Sequence, residues 1–385
     1  MKPFLEEIKA RLDALRSDGL HRRLSLPVGV DFSSNDYLGI SRHPRLREAL
    51  IEALRTGPVS SPASRLLNGN TPEHERLENR LARFKGAEAA LFFSSGYQAN
   101  LAVLATLLKS DDLAITDEQN HASIIDGLRL SRCQTAVFPH LDLKDLEAHL
   151  RNRPARGRIF IITESLFSMD GDVASLDRYA GLADAHGACL IVDDAHATGV
   201  YGDERGSGLV ERFGIESRAL AVVSTCGKAL GIAGAFVTGP SVVVEYLINR
   251  ARPFIFSTAP PPMILRAVDA ALDIAEAEPW RRARVLELAS RLRRTLTGHG
   301  VDCLRSTGPI VPVVLGKNER AMTVAAEVRK RGFDVQAVRP PAVAPGTARI
   351  RVSVHADHTE EEIDGLAGAI VDGLKAADEQ QAVKP

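Results

Sequence analysis

The sequence is short of cysteine, of net charge and of long apolar runs, and each shortage rules something out. Four cysteines in 385 residues (Cys133, Cys189, Cys226, Cys303) form no CxxC pair and have no histidine at zinc-finger spacing. That pattern argues against a disulfide scaffold or a structural metal and fits a reducing compartment. The formal net charge is −1, from 48 basic and 49 acidic side chains, so the basic excess typical of nucleic-acid or membrane-surface binders is absent. No apolar run approaches the ~20 residues that span a bilayer. The opening "MKPFLEEIKARLDALRSDGL" reads as an amphipathic helix without the apolar core of a signal peptide. A cytoplasmic protein is expected, with neither nucleic acid nor membrane among its partners. Internal repeats and low-complexity segments are also missing. The most basic stretch, "RRARVLELASRLRRTL" (281–296), has apolar residues at helical spacing and reads as a solvated helix face.

What is present is alternation. Short apolar runs at 89–96, 112–117, 135–140, 158–165, 188–196, 220–225 and 234–239 are separated by helical patterns. Runs apolar on both faces need a sheet covered on both sides, so the expectation is α/β with a large, mostly parallel sheet. After a proline cluster near residue 260 the pattern becomes helical, then strand–helix–strand–strand–helix, which predicts a smaller α+β domain. The expected division is an N-terminal helix and arm (1–45), a large domain (46–262), a small domain (263–378) and a disordered tail (379–385).

Ligands of such sheets gather at the carboxyl ends of the strands. "LFFSSGYQAN" ends in Ser95, Gly96 and Tyr97 where a helix begins, which suits a phosphate. "IITESLFSMDGD" offers Glu164 and Ser168. "LIVDDAH" places Asp193 at a strand end with His196 three residues later, and "VVST" delivers Thr225 three residues before Lys228. Taken singly, each has a plainer reading: a turn, a helix cap, a structural histidine, a lysine reaching water. Together they answer the needs of one chemistry, that of pyridoxal 5'-phosphate. Its aldehyde needs a partly desolvated lysine, its ring nitrogen a buried carboxylate, and its phosphate a helix N-terminus. Lys228 in "VVSTCGKALGIAGAF" then lies among small residues so that the ring fits against it. A P-loop is excluded, since Val222 and Ala229 stand where that motif needs glycine and Ser/Thr. No clustered third ligand accompanies "HADH" or "DDAH", so a catalytic metal is not expected.

The segments "DFSSNDYLGIS" (31–41), "TESLFSMDGDVASL" (163–176), "VDDAHATGVYG" (192–202), "STCGKALG" (224–231), "FIFST" (254–258) and "VRPPAVAPGTARIRVSV" (338–354) resemble the α-oxoamine synthases in order along nearly the whole chain. The resemblance implies a fold-type-I, pyridoxal-phosphate-dependent homodimer that condenses an amino acid with an acyl thioester and loses CO2. "RPPAVAPGTAR" is most similar to the biotin-pathway branch, which joins L-alanine to a pimeloyl thioester; glycine with a short acyl-CoA (glycine C-acetyltransferase) is the alternative. The thiol carrier, coenzyme A or an acyl carrier protein, stays open. By resemblance, Lys228 would bond the cofactor's aldehyde and later take the α-proton. His121 would stack on the ring, Asp193 pair with its nitrogen, and His196 meet the phenolic oxygen. Ser95, Gly96, Tyr97, Glu164, Ser168 and Thr225 would help hold the cofactor, with Ser257 and Thr258 reaching across from the partner subunit. Arg351 would clamp the substrate carboxylate, Asn35 would sit near the substrate, and His21 or Arg22 would meet the acyl carboxylate. Two departures concern the acyl site. "SSPASR" (60–65) replaces a glycine-rich run, and Ala342 replaces a threonine after "RPP".

Overall fold

The computed structural model describes residues 1–152 and 156–382. Among these the strands are β1 (Val30–Asp31), β2 (Ala89–Phe93), β3 (Leu113–Asp117), β4 (Gln134–Phe138), β5 (Ile159–Glu164), β6 (Cys189–Asp193), β7 (Ala219–Thr225), β8 (Ala235–Gly239), β9 (Ile310–Gly316), β10 (Phe333–Asp334), β11 (Gln336–Val338) and β12 (Ala348–Ser353). The chain divides into two compact units, one of residues 35–168 and 172–284, the other of 1–34, 169–171 and 285 onward.

In the first unit the seven expected runs form one sheet in the order β2-β8-β7-β6-β5-β3-β4. Only β8 runs against its neighbours, pairing antiparallel with β2 and β7. Every residue of β3 and β5 is buried, as strands covered on both faces must be. Gln134, Thr135 and Val137 of β4 are exposed because β4 is an edge strand. The helix Gly96–Leu107 covers one face: its Ala99, Ala102 and Val103 cluster with Phe93, Ile162, Ile191 and Val223. From β3 the chain steps out to β4, then returns to the opposite side of β3 and continues through β5, β6 and β7. That reversal makes the carboxyl ends of β3 and β5 a topological switch point.

The boundary between units differs from the expected one. The helix Pro262–Ala277 belongs with the large sheet, because Arg80 of the helix Pro72–Lys85 binds its Asp269 (2.7 Å), Asp273 (2.7 Å) and Glu276 (3.1 Å).

In the second unit β11, β12 and β9 form an antiparallel sheet in that order, and β1 pairs in parallel with β10. The strand–helix–strand–strand–helix sequence is present, with helices Asn318–Lys330 and Glu360–Ala382. The expected disordered tail is corrected as far as Ala382: alanine, glutamate and glutamine continue the last helix, and Asp378 pairs with Arg320 at 2.9 Å. Residues 383–385 lie outside the described residues. The N-terminal helix Lys2–Ser17 buries none of its residues.

Candidate active site

Lys228 lies in the loop between β7 and β8, half-buried between buried Cys226 and Ala229. The loop is closed at its base. Thr225 Oγ1 donates to Gly234 O at 3.1 Å and accepts from Gly227 N at 3.2 Å, while Cys226 N donates to Gly234 O at 2.9 Å. Its two glycines are required by close approach. A Cβ on Gly231 (φ 66°) would stand 2.4 Å from Ser41 N, and one on Gly234 (φ 126°) 2.3 Å from Phe92 Cζ. The small residues around Lys228 therefore let the loop pack on backbone and ring while presenting a single long side chain.

Glu164 and Asp193 end adjacent parallel strands and are register partners, so their side chains leave the same face side by side. Asp193 accepts from Asn100 Nδ2 at 2.7 Å and from Ala195 N at 3.0 Å. It forms no ion pair among the described residues, although it is only 7% exposed. Burial, reinforced by the Asp193 charge and opposed by Lys228, pushes the Glu164 carboxyl up to about 8. Beside it, Asp193 is held by two N–H donors, those of Asn100 and Ala195. His196, just beyond β6, has Nδ1 2.8 Å from the Tyr37 hydroxyl, which donates to Asn35 Oδ1 at 3.0 Å. Thr225, at the end of β7, completes the row of strand ends.

His121 caps the helix Ala122–Ser131 and accepts at Nδ1 from Ser123 N at 3.2 Å. Ser123 Oγ lies 2.7 Å from the same nitrogen and itself accepts from Asn100 Nδ2 at 2.9 Å. With Nδ1 accepting, the neutral ring carries its proton on Nε2. Partial loss of water, offset by Asp193 and aided by Lys228, holds its pKa below the usual value. One amide, Asn100, therefore orients both the strand-end acid and, through Ser123, the histidine. The ring of Tyr97 meets that of His121 edge-on at 6.4 Å, and its hydroxyl donates to Asp126.

At the N-terminus of Gly96–Leu107, Ser95 Oγ accepts from Gln98 N at 3.2 Å, and a Cβ on Gly96 would meet Thr225 Cβ at 3.9 Å, an ordinary van der Waals contact. Gln98 Nε2 donates to Ser257 Oγ at 2.9 Å, so Ser257 sits beside this helix end of its own chain. Thr258 forms an isolated bridge with Ser64, and Ala259 N donates to Ala63 O at 2.9 Å, which pins the "SSPASR" loop to the "ST" segment. Ser168 is half-buried in the loop after β5. His21, Arg22, Ala342 and Arg351 belong to the other unit. There Arg22 donates to Pro340 O at 3.2 Å, bringing the arm onto the segment that holds Ala342, and Arg351 donates to Ser353 Oγ at 2.8 Å. No group of three or more metal-ligating side chains occurs among the described residues.

Residues 27–370 match the family described as aminotransferase class I and II. An 8-amino-7-oxononanoate synthase from Anaeromyxobacter dehalogenans (strain 2CP-1 / ATCC BAA-258) is 44% identical over 380 residues, 95% of each chain. One from Geobacter sulfurreducens is 42% identical over 378 residues, 94% of this chain and 96% of the relative. The chain belongs to the 8-amino-7-oxononanoate synthase family. Among solved structures, a synthase of that name from Francisella tularensis superposes with a TM-score of 0.78 at 30% identity, over 90% of this chain and 98% of its own. A serine palmitoyltransferase from S. paucimobilis with bound PLP gives 0.90 at 28% identity, over 98% and 99%. The architecture is that of the fold-type-I enzymes, as expected.

For a member of the 8-amino-7-oxononanoate synthase family, the question is whether the residues present fit pyridoxal phosphate. They do. A buried carboxylate with two N–H donors and no ion pair calls for a cation, which a protonated ring nitrogen supplies. Glu164 Oε1 is buried without a hydrogen-bond partner among the described residues, marking a second polar group turned into the same place. Sequence reasoning missed Tyr37, Asn100, Asn120 and Ser123. Tyr37 and Asn100 stand inside "DFSSNDYLGIS" and "GYQAN", but nothing in a neutral side chain announces its partner.

Proposed function

We propose that the chain condenses L-alanine with a pimeloyl thioester to give 8-amino-7-oxononanoate, CO2 and the free thiol, a step of biotin synthesis. The observation that carries this reading is the 44% identity across 95% of both chains to an 8-amino-7-oxononanoate synthase, in a chain whose Lys228, Asp193, His196 and His121 remain intact. In the balanced reaction, a carbon–carbon bond forms between the alanine α-carbon and the acyl carbonyl carbon. The α-carbon–hydrogen and carbon–sulfur bonds break, the thiolate leaves and is protonated to the free thiol, the carboxylate departs as CO2, and a proton returns to the α-carbon.

Pyridoxal phosphate, when bound, offers an aldehyde to the amino group and a ring that accepts the electron pairs left by the α-proton and by CO2. Lys228 Nζ would hold that aldehyde and would be the base that takes the α-proton. Asp193, kept in place by Asn100 and Ala195, stabilises a proton on the ring nitrogen. His121, with its neutral tautomer set by Ser123, would cover the ring, and His196, steadied by Tyr37, would meet the phenolic oxygen. The amides of Gly96 and Tyr97 with Ser95 receive the phosphate, helped by the helix end. Thr225 and Ser168 border it. Arg351 reads the alanine carboxylate with its planar fork, Asn35 lies near it, and Arg22 or His21 reads the far carboxylate of the acyl chain. A homodimer in which Ser257 and Thr258 serve the partner's site completes the reading, with coenzyme A or a carrier protein delivering the acyl group.

Alanine labelled with ¹³C in its carboxyl group tests the reaction type. Labelled CO2 released only when a pimeloyl thioester is present supports it; a keto acid formed with the label retained points to an aminotransferase instead.

A further inference from the structure

His140 is the feature that the reading above leaves without a task. It follows edge strand β4, beside the loops that carry His121 and Ser168. Its Nδ1 is 2.9 Å from Asp117 Oδ1 and its Nε2 is 2.9 Å from Asp172 Oδ2. With a carboxylate on each nitrogen, both must carry protons, so the ring is an imidazolium. Asp117 ends β3 and Asp172 closes the loop after β5, so the ring spans the two sides of the topological switch point.

The rest of the geometry converges on the same two loops. Asp117 Oδ1 also accepts from Gln119 N at 2.8 Å, and its backbone O accepts from Asn120 N at 3.2 Å, shaping the turn that delivers His121. Asn120 binds Ile162 O at 2.8 Å and accepts from Glu164 N at 3.0 Å, joining that turn to β5. Phe167 N donates to Asp172 O at 3.0 Å, closing the loop that carries Ser168, and the Phe167 ring meets His140 edge-on at 4.4 Å. The next residue, Leu141, has φ 57°, a conformation costly for a branched side chain, and is held there by its N–H on Asp117 Oδ2 at 2.8 Å. The backbone is strained where it delivers this ring.

We propose that His140, clamped as an imidazolium between Asp117 and Asp172, is a positioning residue that fixes the His121 and Ser168 loops for the cofactor, and that cofactor binding weakens when its proton is lost. The proposal rests on the assignment of pyridoxal phosphate above. Burial opposes the charge, but the two carboxylates outweigh it and push the ring's pKa up to about 9. The sign follows from linkage: the stabilisation is full below about 6.5, the unfolded value, and is lost as pH rises through about 9. Near the ring, Glu118 accepts from the His140 backbone N at 3.0 Å, and Tyr179, which feels the same two carboxylates, has its phenol pushed well above its usual range, chiefly by burial. Glu164 also feels the Asp117 charge and titrates near 8, so the variant must leave it in place.

The test measures the dissociation constant of pyridoxal phosphate, by absorbance titration of the apo-protein, between about pH 7 and about pH 10 for wild type, His140→Asn and Asp172→Asn. The expected result is a wild-type constant rising about tenfold across the step, a shift of the step to lower pH in D172N, and in H140N a constant about tenfold weaker at neutral pH that retains only the smaller pH dependence contributed by Glu164. Hydrogen exchange of the apo-proteins at one pH supplies a second readout: H140N should exchange faster at 118–123 and 165–168. A merely structural role would lower the melting temperature but leave the shape of the pH profile unchanged, and that result overturns the proposal. If wild type takes up no pyridoxal phosphate, the functional reading fails, while unchanged exchange at those loops in H140N would sink the clamp itself.

Discussion

At the scale of single residues the account turns on where charge is allowed to stay. Asp193 and Glu164 leave neighbouring strands together; burial pushes the Glu164 carboxyl up to about 8, while Asp193 receives the N–H groups of Asn100 and Ala195, the setting that suits a carboxylate facing a ring cation. Asp193→Asn keeps the shape and removes the charge. It should lower kcat by at least about 100-fold while the protein melts near the wild-type temperature; an active D193N with normal turnover would remove Asp193 from its role. Tyr37→Phe deletes the hydroxyl between His196 and Asn35, and the loss of about 1 kcal/mol expected of such a bond should appear as a three- to tenfold fall in kcat/KM. The places of Lys228, Asp193 and His196 at or just beyond strand ends were legible from the sequence, because polar residues closing apolar runs stand out. Tyr37, Asn100 and Ser123 were not, since amides and hydroxyls serve turns and caps everywhere, and only folding brings Asn100 to both Asp193 and Ser123.

At the scale of elements, the loop after β6 is held from below by a buried pair. Lys85, at the end of the helix Pro72–Lys85, donates to Asp194 Oδ2 at 2.7 Å, Ser207 O at 2.6 Å and Thr198 Oγ1 at 3.2 Å. Asp194 in turn accepts from Ser165 Oγ at 2.6 Å, one residue beyond Glu164. All three ammonium protons are used, which is what a cation needs to survive burial. Lys85→Met should cost about 3–5 kcal/mol, because it strands the Asp194 charge; urea unfolding checks this, and Lys85→Met combined with Asp194→Asn should recover part of the loss. In sequence, Lys85 looks like an ordinary basic residue closing a helix. The strands were easier to read: runs apolar on both faces identified all seven, and the structure places β4, with three exposed residues, at the edge.

At the scale of the whole molecule, the sequence showed two kinds of architecture but misplaced their border. A change from strands to helices near residue 260 suggested a new domain, whereas the ion pairs of Arg80 tie Pro262–Ala277 to the large sheet. Polar composition suggested a loose tail where helix propensity and Asp378 extend the last helix. The N-terminal helix exposes Phe4, Leu5, Ile8, Leu12 and Leu15, spaced along one helix face, which suits burial against a partner chain. Sedimentation equilibrium should give a species of two chains, and deletion of residues 2–17 should weaken that association; a wild-type monomer at assay concentration would contradict the shared-site reading.

The most direct measurement of the central claim is thiol release by the cofactor-loaded protein from pimeloyl-CoA and from acetyl-CoA, each with L-alanine, glycine or L-serine. The account predicts release that needs both L-alanine and the pimeloyl donor, with a product of the mass of 8-amino-7-oxononanoate. Faster release from acetyl-CoA with glycine would contradict it and assign the same site to a different amino acid and acyl chain.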